Sequence, residues 1–410
     1  MVLAVCGVQI LLAGVAGAQT QNQFGGQDRA DATTRLVVIA VQRALATLPP
    51  SSGQSVTYEY DPATDALQRS TRLGPTALRS AQTVGPGTLS LQAGVSYFEM
   101  AQTFGPIDYL LTFNSPSRGQ GVAKIGLGAS ARVTAFNLSA TYGLSRYVDL
   151  GVALPVVAVD THGSEIFSTR TNALSLPANQ APLSGVSIPL NGNVTDARNA
   201  LNMLLQPGGP LSLRKETFRS LGVNFNDGTN AGVGRIDLSG KGVLLARESF
   251  QIASLVECFL PSPSEAEFAG PASAAIAPRL IATLKLADAI RLHSDVGYDY
   301  DFDSAALRQF MWSIGGAVTS ERAELDLGVG GSEFNAPVQW TPTHITGTGV
   351  TGQALEDNTA GDLFVDVLLG LKLRLTDSTV IAGAVTIPVV NTAFQPDVLG
   401  TLAVEYNFGL

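Results

Sequence analysis

The chain has 410 residues, of which 45% are hydrophobic and only 14% charged, and its mean hydropathy is +0.21. That excludes disorder, and it falls well short of the charged quarter of a soluble protein, so much of the surface must face something other than water. A formal net charge of −9 without any cluster of Lys and Arg excludes a nucleic-acid partner.

From the N-terminus, residues 2–15 are almost wholly apolar and end in Ala16-Gly17-Ala18, the small-x-small pattern of a cleaved secretory signal, so residues 1–18 are expected to be removed. Of the two cysteines, Cys6 lies in that segment. The mature chain is then expected to carry Cys258 as one thiol, with no disulfide, no metal site and no cofactor. Residues 19–87 form an N-terminal periplasmic or plug segment. Within it, residues 31–48 place Leu36, Ile39, Val41, Ala44, Leu45 and Leu48 at helical spacing, with Arg35 and Arg43 between them and Pro49-Pro50 as a stop. This short amphipathic helix either packs in the periplasm or serves as a plug in a barrel mouth.

No stretch beyond the signal has 18 consecutive apolar residues, so no transmembrane helix accounts for the hydrophobicity. From residue 88 to 410 apolar and polar residues instead alternate at period two, in segments of about ten residues, as in a transmembrane β-barrel. Strands are expected near 88–99, 130–143, 147–158, 232–246, 249–260, 273–287, 289–302, 309–319, 322–333, 361–376, 378–388 and 396–410. The clearest is 362–375, with Leu363, Val365, Val367, Leu369, Leu371, Leu373 and Leu375 on one face and Asp362, Asp366, Lys372 and Arg374 on the other. Short turns alternate with long connections, the longest an extracellular loop at 159–231 in which Thr195 can cap a short helix to Leu205. The fold class is therefore all-β, an up-and-down antiparallel transmembrane barrel of about twelve strands in the outer membrane, with both termini periplasmic. A secreted soluble β-sandwich is the alternative, since periodicity alone does not separate the two.

Leu402, Val404, Tyr406, Phe408 and Leu410 share a face of the last strand, the apolar-aromatic signal by which barrel assembly machinery recognises its clients. Tyr97, Phe98, Tyr142, Tyr147, Tyr298, Tyr300 and Trp312 fall where aromatic girdles should contact outer-membrane lipid.

With the apolar face outward, the lumen is expected to carry Arg235, Asp237, Lys241, Arg279, Lys285, Arg291, His293, Asp295, Glu324, Asp326, Asp366, Lys372, Arg374 and Glu405. Such groups are too costly for the lipid face. They form either a neutralising ladder that fills a narrow lumen or a polar constriction that sorts solutes. No catalytic constellation accompanies them: Asp295 follows His293 where a barrel hydrolase would need a serine, and His162 and His344 fall in predicted loops.

Three stretches resemble the outer-membrane barrels named for the meta-pathway of phenol degradation. They are Tyr58-Glu59-Tyr60-Asp61-Pro62-Ala63-Thr64 with Leu73-Gly74-Pro75 and Val84-Gly85-Pro86-Gly87-Thr88; the hairpin Tyr142-Gly143-Leu144-Ser145-Arg146-Tyr147-Val148-Asp149-Leu150-Gly151-Val152-Ala153-Leu154-Pro155; and Gly234-Arg235-Ile236-Asp237-Leu238 through Lys241 to Leu260-Pro261. The resemblance covers residues 58–410 in outline. It implies an outer-membrane channel or transporter for small, hydrophobic or aromatic compounds, not an enzyme, with no particular solute specified. A non-conducting structural or surface-interaction barrel is the alternative function.

Overall fold

Alternation within a strand turns every second side chain to the opposite face, and here those faces are inverted relative to a soluble protein. Along residues 323–334 Glu324 and Asp326 are buried at 1% and 0% exposure, while Leu325 and Leu327 are 51% and 58% exposed. The computed structural model describes residues 41, 44–45, 57–113, 120–170, 186–189, 228–261, 273–335, 344–347, 350–354, 363–391 and 396–409. The expected signal, most of the expected helix at 31–48, the helix expected at 195–205 and Leu410 lie outside them.

A small hairpin comes first, β1(Tyr58–Asp61) and β2(Ala66–Arg69). Three long strands follow: β3(Thr88–Phe113), β4(Gln120–Gly143) and β5(Val148–Arg170). Next are β6(Val186–Pro189), β7(Gly228–Val233), β8(Ile236–Ala246), β9(Phe250–Leu260), β10(Ala275–Lys285), β11(Ile290–Asp301), β12(Gln309–Thr319) and β13(Ala323–Phe334). The chain ends with β14(His344–Gly347), β15(Val350–Ala354), β16(Leu363–Arg374), β17(Thr379–Asn391) and β18(Val398–Gly409).

The sheet closes. From β3 through β4, β5, β8 to β13, β16, β17 and β18 each strand pairs antiparallel with the next, and β18 returns to β3 in a register running from Val398↔Glu99 to Gly409↔Thr88. β7 pairs with β5 directly above β8, so the two form one barrel strand interrupted at Gly234-Arg235. That makes a closed barrel of twelve strands, with no free edge. The ends of the short turns are fixed by their own polar side chains: Ser320 Oγ accepts from the amides of Arg322 and Ala323, and Thr376 Oγ1 from those of Ser378 and Thr379.

β3 to β5 continue well past the expected ends at 99 and 158, to Phe113 and Arg170, and β15 and β6 pair onto them there. Strand therefore replaces part of the expected 159–231 loop, and His162 and His344, expected in loops, lie in β5 and β14. Two aromatic rings of residues bound the apolar band: Tyr142, Tyr147, Phe250, Tyr406 and Phe408 near the short turns, and Tyr97, Tyr300 and Phe310 towards the loop end. Phe98 does not belong with them, being fully buried in the interior, because its neighbours Tyr97 and Glu99 take the outer face. In the full 410-residue chain Cys258 is disulfide-bonded, whereas the lone thiol is the expectation for a chain without residues 1–18. The sequence holds one other cysteine, Cys6, outside the described residues, so a chain lacking residues 1–18 cannot form that bond within itself.

Candidate functional site in the barrel lumen

Residues 57–87 run through the turn-side half of the lumen, and the barrel meets them with polar side chains from one strand after another. The hairpin β1–β2 is closed by Asp61, whose carboxylate accepts from Ala63 N at 3.0 Å and Thr64 Oγ1 at 3.1 Å, and it is tied to the later part of the segment by Tyr58 N donating to Thr83 O at 2.9 Å. Glu59 points inward and accepts from Ser70 Oγ, from Gln82 Nε2 and from Arg291 of β11.

The segment then crosses the lumen without secondary structure of its own, so its backbone needs partners from the wall. Arg374 donates to Thr71 O at 3.0 Å, Thr319 Oγ1 to Leu73 O at 2.8 Å and Lys372 Nζ to Pro75 O at 3.1 Å. The carboxylate of Asp326 accepts from the amides of Thr76 and Ala77, and Glu324 accepts from Thr76 Oγ1 at 3.2 Å. Farther along, Thr283 Oγ1 accepts from Ala81 N at 3.0 Å, Lys241 donates to Gln82 O, and Asp149 accepts from Val84 N at 3.1 Å. Arg79 forms an ion pair with Glu257 at 2.8 Å.

Apolar contacts complete the seat. Leu78 is fully buried over Gly315 and Gly328, where an added Cβ would come within 2.7 Å of its methyl groups. Ala81 packs with the inward Ala253, Leu255 and Ile281. The exit is a turn through Gly85 and Gly87, both with positive φ, where the Gly85 carbonyl lies so close to Gly143 that a Cβ there would sit 1.6 Å from it.

The expected lumen residues divide by environment. Lys241, Arg291, Glu324, Asp326, Lys372 and Arg374 hold residues 57–87. Lys241 also lies 3.5 Å from Asp149, and Glu405 accepts from Ser90 Oγ at 2.8 Å. His293 Nδ1 meets Thr283 Oγ1 at 3.0 Å, and Arg279 bridges Glu257 at 2.8 Å and Asp295 at 3.1 Å. Arg235 lies over the Phe259 ring, 4.7 Å from its centroid, and 3.8 Å from Asp301; Asp237 and Asp366 are turned inward on their strands. Lys285 stands apart at the rim, half-exposed and paired at 3.0 Å with Asp288 in the β10–β11 turn.

Sequence reasoning assigned no lumen role to Glu59, Arg79, Thr283 or Asp149. A usable signal existed for Asp149: it shares the inward parity of Gly151 and Ala153 on β5, next to the lysine at 241 across the pair Asp149↔Lys241. Among the described residues no group of three or more His, Cys, Asp or Glu is placed to hold a metal ion.

No family model matches the chain, and no curated protein sequence does. Solved structures do superpose on it. An outer membrane channel from Pseudomonas putida F1 aligns at 10% identity and a TM-score of 0.42, covering 80% of this chain and 97% of that one. The CymD monoaromatic hydrocarbon channel aligns at 10% and 0.35, covering 80% and 90%, and a Pseudomonas aeruginosa FadL homologue at 9% and 0.34, covering 89% and 98%. At these scores the likeness adds nothing to the architecture that the strand pairing itself establishes.

Proposed function

We propose that this protein is an outer-membrane channel for small, apolar or aromatic compounds, and that residues 57–87 are the movable part of a plug closing its periplasmic end. One observation carries the reading: the lumen admits a whole polypeptide segment, held mainly through hydrogen bonds to its backbone. A barrel filled by its own side chains has no such room, and a lumen wide enough for a chain is wide enough for a small solute when the chain moves aside. The solute class comes from the resemblance of residues 58–410 to the phenol meta-pathway barrels. The same reading takes residues 1–18 as the export signal, and the last strand, β18, as the mark read by the assembly machinery.

Asp149 and Asp326 are carboxylates of the barrel wall that accept backbone amides of the segment, so the double variant Asp149→Asn/Asp326→Asn loosens the seat without touching the lipid face. In proteoliposomes the native chain should pass benzyl alcohol slowly, and the double variant should pass it several-fold faster. A barrel equally sealed in both would overturn the channel and leave a structural or surface-interaction barrel.

A further inference from the structure

Above the plug the hydrogen-bond accounting changes. At plug level two guanidinium groups meet two carboxylates: Glu257 joins Arg79 and Arg279, and Arg279 reaches Asp295, which also accepts from Ser313. The next inward positions towards the loop end are Arg235 just before β8, Asp237 on β8, Asp299 and Asp301 on β11, Gln309 on β12 and Ser332 on β13. Six atoms in this layer are buried with no hydrogen-bond partner among the described residues: Arg235 Nε and Nη2, Asp237 Oδ1, Asp299 Oδ1, Gln309 Oε1 and Ser332 Oγ. Asp299 and Gln309, 4% and 1% exposed, are directly opposite each other on neighbouring strands. Native interiors leave few such groups, and a cluster of them in one layer of a lumen points to a site built for something other than the chain.

Charge and shape narrow what that is. Counted with the plug-level groups beside them, five carboxylates, Asp237, Glu257, Asp295, Asp299 and Asp301, face three guanidiniums, Arg79, Arg235 and Arg279, and Arg235 is already engaged with Asp301 at 3.8 Å and with the face of Phe259. An anion would meet the carboxylate excess, and a neutral solute would leave it uncompensated in a place shielded from water. A bare metal ion does not fit, because no three of these acids converge closely enough to ligate one. The walls are apolar and aromatic. Phe259 lies on one side; Phe334, opposite Gln309, stands edge-on to Phe364 at 5.3 Å on the other; Ala275 and Ala277 of β10, both buried, present only methyl groups between them.

We propose that this layer binds a small organic cation, an amine on an apolar or aromatic body, with the ammonium on Asp299 and Asp237 and the body against Phe259, Phe334 and Phe364. Gln309 Oε1 supplies a third acceptor, and aromatic faces add the attraction of a cation for the ring quadrupole. The proposal rests on the channel reading for the route by which the solute arrives, and it makes that solute an amine.

The test uses the full chain in detergent micelles and three probes of one shape: benzylamine, benzyl alcohol and benzoate, titrated by calorimetry near neutral pH. Benzylamine should bind saturably, benzyl alcohol should bind about tenfold more weakly or worse, and benzoate should show no binding, a spread matching one hydrogen bond to a charged group. Asp299→Asn and Asp237→Asn should each weaken benzylamine by about the same factor, with the barrel's heat-modifiable gel shift confirming a folded variant. Equal affinity for the three probes overturns the proposal, and this comparison needs no variant. So does benzylamine binding that survives Asp237→Asn/Asp299→Asn. If benzyl alcohol crosses the membrane through the loosened double variant while no probe preference exists, only the amine site fails. If benzylamine binds but nothing crosses, the site stands and the channel reading fails.

Discussion

The two walls of one strand obey opposite rules. On β13 the lumen wall carries Glu324, Asp326 and Gly328, matched atom for atom to Thr76, Ala77 and Leu78 of the plug; the lipid wall carries Leu325, Leu327 and Val329, which touch no such partner. The lumen side is specified by shape and hydrogen bonding, and the lipid side only by polarity, because a fluid acyl chain adapts to any apolar surface. Substitutions should therefore be judged by polarity outside and by fit inside.

The sharpest test of that contrast lies on β16. Leu369 is on the lipid wall, 40% exposed, and its neighbour Leu368 is on the lumen wall against Gly330. Leu369→Arg should cost roughly 2 to 4 kcal/mol near the bilayer midplane and abolish most assembly, while Leu368→Arg enters a polar lumen and should assemble. Gel shift of the membrane fraction reads both, and equal tolerance would break the assignment of faces.

Next in size are changes on the lumen wall that leave the lipid wall untouched. Asp326→Asn keeps the side-chain volume but removes the charge that holds the amides of Thr76 and Ala77, a loss of about 1.5 to 3 kcal/mol from the plug's seat. Trypsin should then cut at Arg72 and Arg79 in a folded barrel, where the native chain resists. A plug that stays protected would show that Asp326 is not a principal anchor.

Gly328→Val attacks the same seat through shape. Its side chain would start 2.7 Å from Leu78 and 2.8 Å from the Ile314 carbonyl, and such overpacking costs about 1 to 3 kcal/mol. The yielding partner should be Leu78, on a segment without regular structure, rather than the hydrogen-bonded wall. Faster benzyl alcohol entry with normal assembly is the expected result, and a misassembled barrel with no folded fraction would count against a plug softer than its wall.

How far the sequence could be read follows from the same division. The lipid wall writes its period into the chain, so 309–319 was expected and β12 spans those residues, and β13 and β16 lie within two residues of expectation. The upper parts of β3 to β5 were not read, since above the apolar band nothing demands that every second residue be greasy; they are held by pairing with distant β15 and β6. The plug was least legible. Its partners come from β5, β8, β9, β10, β11, β12, β13 and β16, so no local spacing between residues 57 and 87 records them, whereas the helix expected at 31–48 rests on a local period. Inward parity brought out Lys241 and Asp326, but not that each would bind the backbone of a segment crossing the lumen.

The smallest expected effect is also the one that isolates fit from polarity. Gly400 of β18 lies on the lipid wall beside Leu402 and Gly383, and a Cβ placed there meets no atom within 4 Å. Gly400→Val adds apolar surface to a face already apolar, with a residue that favours strands, where Gly328→Val adds the same atoms against Leu78. Gly400→Val should leave assembly, protease resistance of the plug and solute entry as they are in the native chain, or raise resistance to heat slightly. If the two valines prove equally damaging, the outer wall must also be fitted to a partner of fixed shape, and the distinction between an adaptable lipid face and a specified lumen face falls.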